Sequence, residues 1–205
     1  MNHLPTLELP SKLNYIGVFL TLDCNLACAY CINGDDLMSN RRPFAKPESV
    51  LKPENWIRAL SRIPFREDLP ITLQGGEPTM YGGGRGLGQV IAGLPHHFDL
   101  LTNLVVKAVR FQEAIDGNFH KFQRPAPYPS IRVSYHPAEM ERVFGDDAFA
   151  KLVERCEDLG KIGLNVSPKK SESDVGIYMV SHPENGSGEA MVKTASGRVP
   201  FETKE

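Results

Sequence analysis

Residues 15–31 read Tyr-Ile-Gly-Val-Phe-Leu-Thr-Leu-Asp-Cys-Asn-Leu-Ala-Cys-Ala-Tyr-Cys. The stretch from Tyr15 to Leu22 is apolar, β-branched or aromatic apart from Gly17. A short run of that kind, bounded by a polar turn, reads as a buried strand. The loop leaving it carries Cys24, Cys28 and Cys31, three of the four cysteines in the chain. Parallel α/β proteins place their chemistry on loops at the carboxyl ends of strands. The stretch therefore speaks to the fold class and to the position of the site together.

Four readings compete for the three thiols. They are small core residues, since free cysteine is often buried and the i, i+4, i+7 spacing lies on one helical face. They belong to a disulfide framework, although the local count is odd and the amino terminus (Met-Asn-His-Leu-Pro) lacks the pattern of a secretory leader. They hold structural zinc, although such sites use four ligands in paired sets and no fourth donor follows at finger-like spacing. Or they hold an iron–sulfur cluster, which thiolates bind well. Three ligands to a four-iron cluster leave one iron open to a small molecule.

The arrangement Cys-x-x-x-Cys-x-aromatic-Cys, carried by Cys24, Cys28, Tyr30 and Cys31, resembles the signature of the radical S-adenosylmethionine (SAM) enzymes. The resemblance implies a [4Fe–4S] cluster on the three cysteines, with SAM chelating the open iron and Tyr30 beside its adenine. It implies reductive cleavage of SAM to a 5′-deoxyadenosyl radical, which abstracts hydrogen from a substrate. It also implies a reductant such as a flavodoxin or ferredoxin. The hard chemistry belongs to the cofactors, and the protein orients them.

A second motif follows the next strand candidate, Leu69–Gln74. It reads Gly75-Gly76-Glu77-Pro78. Taken alone it is a glycine turn closed by proline, a common arrangement. At the end of a second strand it is similar to the family's GGEP motif, which holds the SAM amino group. Glycines permit close backbone approach to a ligand, and Glu77 would reinforce a site for an ammonium group.

The rest of the chain alternates. Helices are expected at Asn55–Ile63, Leu87–Gly93, Val106–Ile115 and Asp146–Leu159, from apolar residues at helical spacing. Cys156 falls on the apolar side of the last of these, which makes it a core residue. Strands are expected at His97–Asn103, Ile131–Tyr135 and Val175–Val180, and a sixth begins at Val199–Lys204. Ile162–Val166 also looks like a strand. The polar string Ser167–Asp174 is too short for a crossover helix, so it reads as a surface insertion before strand five. Asn33–Pro53 reads as an irregular crossover, Gly82–Gly86 as a plain loop and Met191–Ala195 as a stub of helix. Strands alternating with helices predict a parallel sheet with right-handed crossovers. With the family resemblance this becomes a single domain over residues 1–205, an open partial (βα)6 barrel.

Polar residues recur where the apolar strands end: Thr102-Asn103, Ser134-Tyr135-His136, Ser181-His182 and Glu202-Thr203-Lys204. That is the pattern of a barrel's active-site face. Asn103 and Ser134 are read as SAM or substrate contacts, by analogy with polar SAM contacts on these strands in the family. For His136 and His182 a structural role stands beside a ligand or catalytic one.

The formal charge of −2 and the sequence pI of about 6.3 give no signal for nucleic acid. No apolar run approaches the ~20 residues of a membrane span. A cytoplasmic setting, reducing enough for exposed thiolates, is expected. Many members of the family carry further cysteines for auxiliary clusters, whereas only Cys156 remains after Cys31. The sequence stops at or within strand six, which leaves a strand edge uncovered and reads as a fragment. Two function classes are carried forward. One is a radical SAM enzyme or its catalytic core, acting on a peptide or protein or as a small activase or deazapurine-type synthase. The other is a non-redox structural metal protein holding zinc.

Overall fold

The computed structural model describes residues 5–28, 30–31, 50–180, 195 and 197–204. Six strands, β1 (Ile16–Thr21), β2 (Ile71–Gly75), β3 (Phe98–Thr102), β4 (Ile131–Tyr135), β5 (Val175–Val180) and β6 (Phe201–Lys204), form one sheet in sequential order. Every pairing is parallel. Parallel neighbours need a crossover. Among the described residues these crossovers carry helices α1 (Pro53–Leu60), α2 (Gly86–Ala92), α3 (Ala108–Ala114), α4 (Pro137–Phe144) and α5 (Ala148–Gly160). This is the α/β fold expected from the alternation, an open sheet of the partial-barrel kind. Among the described residues no helix is long and apolar enough to cross a membrane.

Register divides the sheet into two unlike faces. Ile71, Leu73, Phe98, Leu100, Ile131, Val133, Val175 and Ile177 lie on one face and are fully buried. They pack in one cluster with Leu87, Val90 and Ile91 of α2, Phe111 of α3, and Leu152, Val153, Cys156 and Leu159 of α5. Burying side chains of this size stabilises by about 1.5–3 kcal/mol each, before chain entropy is subtracted. The alternate positions form the inner face: Gly17 and Phe19, Thr72 and Gln74, Asp99 and Leu101, Arg132 and Ser134, Gly176 and Tyr178, and Glu202. These side chains are largely polar, and Phe19 is 53% exposed. One face therefore builds the core and the other carries mostly polar side chains.

Helix α4 is where local reading fell short, since no helix was expected directly after His136. Pro137 occupies the first turn, where its missing N–H costs nothing. Met140 is buried. Gly145, at φ 79° and ψ −168°, then breaks the chain between α4 and α5. That conformation belongs essentially to glycine. Ile162–Val166 is not a strand: Leu164 is buried, and Asn165 exchanges bonds with Asp174 (Asn165 N to Asp174 Oδ2 and Asp174 N to Asn165 O, both 2.8 Å). Ser167–Asp174 is a surface insertion only in part, because Ser173 and Asp174 are buried at the entry to β5. The glycine stretch after β2 is a turn, with Gly82, Gly83 and Gly84 all at positive φ. The Asn33–Pro53 crossover up to residue 49, Ser181-His182 and the stub at 191–194 lie outside the described residues.

Candidate functional site

The cysteine loop leaves β1 at Thr21, whose Oγ1 accepts the Asp23 N–H at 3.1 Å. The turn after β2 is bonded directly to that loop. Gly76 N donates to Thr21 O at 2.8 Å, and Glu77 N donates to Asp23 O at 2.7 Å. The approach is so close that both glycines are sterically required. A Cβ on Gly75 would lie 2.1 Å from Thr21 O, and one on Gly76 would lie 2.0 Å from Asp23 O. Gly75 also sits at φ 138°. The glycine pair thus admits the chain's own cysteine-bearing backbone.

Glu77 is buried, and its carboxylate joins its own turn to the end of β3. Oε1 accepts Thr79 N at 3.1 Å, Thr79 Oγ1 at 2.7 Å and Thr102 Oγ1 at 2.8 Å; Oε2 accepts Asn103 N at 2.7 Å. Burial pushes its carboxyl above the ordinary value, and these four donors pull the other way. Pro78 opens the short turn Pro78–Met80 that the Glu77 side chain caps. Asn103, held at the end of β3 by this contact, turns its amide toward the cysteine loop. Nδ2 donates to Asn25 Oδ1 at 2.7 Å and reaches Cys24 Sγ at 3.6 Å. Cys24 Sγ also accepts the Leu26 N–H at 3.4 Å.

The far side of the loop is held by β4 and α4. Glu139 Oε2 accepts the Ala27 N–H at 2.9 Å and is itself paired with Arg142 at 2.9 Å. Tyr30 Oη lies 2.9 Å from His136 Nδ1, and His136 Nε2 lies 2.9 Å from Ser134 Oγ. Ser134 Oγ donates to Thr102 O, so it is free to accept only. That assigns the proton to Nε2 of His136 and makes Tyr30 the donor to Nδ1. Burial lowers the His136 pKa, with Glu139 opposing, which favours a neutral ring. His136 is therefore a link between the cysteine loop and the ends of β3 and β4. Glu139 and Asn25 carried no sequence signal, because Glu139 sits on the helix that local reading missed.

No family model matches this sequence, and no curated protein does. A solved structure does resemble it. The crystal structure of Streptococcus suis SuiB bound to precursor peptide SuiA matches with a TM-score of 0.53 and 12% sequence identity, over 94% of this chain and 40% of that one. The likeness is one of fold, and this chain spans 40% of the length of SuiB.

Cys24, Cys28 and Cys31 are all free, on one loop, and none is fully buried. Among the described residues no three His, Cys, Asp or Glu side chains are already gathered around a common point. The donor chemistry nevertheless fits a thiolate-bound cluster: three soft ligands, with N–H groups already directed at the Cys24 sulfur, the kind of contact that tunes such clusters. Surrounding protein and the neighbouring thiols push Cys28 up to about 12, and burial raises Cys24. A metal must therefore displace protons as it binds. Cys156 is fully buried in the core, as expected. Glu202 lies in β6 opposite Tyr178, on the register row of Ser134, and is paired with Lys170.

Proposed function

We propose that this chain is a radical SAM enzyme or its catalytic core, with Cys24, Cys28 and Cys31 holding a [4Fe–4S] cluster and SAM lying across it and Gly75–Pro78. The observation that carries the reading is the direct bonding of the Gly75–Pro78 turn to the cysteine loop, with Asn103 reaching Cys24 from β3. Two motifs separated by about 50 residues of sequence become one surface at the carboxyl ends of adjacent parallel strands, the functional face of such folds. When bound, the cluster supplies the electron for reductive cleavage of SAM. This chain's residues position and enclose. Glu77 fixes the turn against β3, Glu139 fixes the loop against α4, and Tyr30, His136 and Ser134 fix the wall between them. As the family resemblance implies, Tyr30 is assigned to the adenine and Ser134 to contact with SAM or substrate. A one-electron reductant of the flavodoxin or ferredoxin type would serve the cluster.

SuiB was solved bound to a precursor peptide, and within the enzyme class that likeness favours a peptide substrate over a small-molecule one. Anaerobic reconstitution tests the whole reading. A brown protein with about four irons and absorption near ~400 nm is expected. The absorption should vanish in Cys28→Ala and survive in Cys156→Ala. A colourless protein carrying zinc would overturn the reading in favour of a structural metal site.

A further inference from the structure

The inner face of the sheet carries a charge cluster that the cofactor site does not use. Asp99 of β3 accepts from Arg124 at 2.7 Å (Nη2) and 3.3 Å (Nε), and lies 3.6 Å from Arg132 Nη2. Both guanidinium groups also face the Tyr128 ring, at 5.0 Å and 5.8 Å from its centroid. Beside them Glu202 is paired with Lys170. Among the described residues one carboxylate, Asp99, thus meets two guanidinium groups, and the Lys170–Glu202 pair is neutral, which leaves one positive charge in excess within this cluster.

The excess sits on Arg132. Arg124 is sealed, with a side chain 6% exposed, short bonds to Asp99 and a further bond to Tyr128 Oη at 2.9 Å. Among the described residues Arg132 has one long ion pair and an Nε without a hydrogen-bond partner, and its side chain is 21% exposed. A cation drawn out of water and incompletely paired is costly, and an anion arriving there recovers the loss. Arg132 shares its face with Ser134, two residues along β4. That is about 7 Å between the two Cα atoms at ordinary strand rise, so Arg132 is rooted one pleat repeat from Ser134 on the same face of the sheet.

We propose that Arg132 anchors a carboxylate of the substrate, holding an acidic group on the inner face while the reacting part of the molecule lies at the rim. The class follows from charge and shape. A single surplus charge matches a monoanion, and a guanidinium matches the plane of a carboxylate. A phosphate dianion would leave a net negative charge in a half-buried place. The inference rests on the radical SAM reading for the reaction, though not for the binding.

The test is ligand-observed NMR on the iron-free 205-residue chain with four probes. These are N-acetylated, C-amidated Ala-Glu-Ala, the same peptide with Gln, propionate, and inorganic phosphate. The Glu peptide should bind roughly tenfold or more tightly than the Gln peptide, as expected for a charged hydrogen-bonded contact. Propionate as tight as the Glu peptide assigns the carboxylate to a small acid; weaker propionate assigns it to a peptide. Arg132→Gln should erase the Glu preference, and Arg132→Lys should keep part of it. Equal affinity for Glu and Gln peptides, or tighter phosphate, overturns the proposal on the unaltered chain, whatever the variants do. Iron content of a reconstituted portion is scored separately. Carboxylate selectivity without iron sinks the radical reading alone, and iron without selectivity sinks the Arg132 site alone.

Discussion

Replacing Gly76 by Ala is the sharpest perturbation of this architecture. The added Cβ would stand 2.0 Å from Asp23 O, 2.5 Å from Asp23 C and 2.6 Å from Leu22 O. All three are backbone atoms, so no side-chain rotation relieves the clash. The loop must withdraw by more than about 1 Å to reach an ordinary contact. Withdrawal breaks the Gly76 N–Thr21 O and Glu77 N–Asp23 O bonds. Their net worth is ~0.5–1.5 kcal/mol each, so about 1–3 kcal/mol together. Overpacking adds ~1–3 kcal/mol, for a total of about 2–6 kcal/mol. With a urea slope of ~1–3 kcal/mol per molar, the midpoint should fall by about 1–2 M. Gly160→Ala is the control, because its Cβ would meet only Val166, at 3.5 Å. It should be neutral or stabilising by up to ~1 kcal/mol. Thiol labelling of the native protein gives a second reading, since Cys24 is carried by the displaced loop and should react at an altered rate. A Gly76→Ala protein with wild-type midpoint and wild-type Cys24 labelling would refute the argument that the glycine pair exists to admit the cysteine loop.

Glu77→Gln puts an amide NH2 among four donors and should cost about 2–4 kcal/mol, from loss of charged hydrogen bonds and an unsatisfied buried group; a urea midpoint within error of wild type would contradict it. His136 has a pKa held below its ordinary 6.5 by burial, so the unfolded chain binds the proton first. Its contribution should be complete above pH 6.5 and fade as pH falls toward the lowered folded value. Urea midpoints from pH 5 to 8 should therefore converge for wild type and His136→Gln at the acid end, and parallel curves would tell against a buried neutral ring. Asp99→Asn breaks an ion pair whose side chains are 6% and 2% exposed and should cost ~3–5 kcal/mol, read in the same denaturation assay; a loss below 1 kcal/mol would mean that the two arginines find other partners.

The strands and most helices were legible because their signals are local. Alternation in Ile131–Tyr135 and the helical spacing of Phe149, Leu152, Val153 and Cys156 are carried by neighbouring residues, whose period sets which face is buried. The observed bounds of β1 to β5 differ from the expected ones by at most two residues. The cysteine spacing and the Gly75-Gly76 turn were equally plain, since each is a short string. Helix α4 was obscured because Pro137 and Gly145 frame it with residues that also mark turns.

What the sequence by itself determined is therefore the alternation of strand and helix, the placing of three thiols after β1, and a glycine turn after β2. The tertiary structure decided what those pieces are for. Glu77 meets donors 25 and 26 residues away, and Glu139 caps an amide 112 residues away. The surplus charge on Arg132 exists only because β3, β4 and the Arg124–Tyr128 loop come together. Propensity and periodicity act over a few residues. Pairings of this range follow from how parallel strands are ordered and how closely their loops pack, and a linear string does not display either.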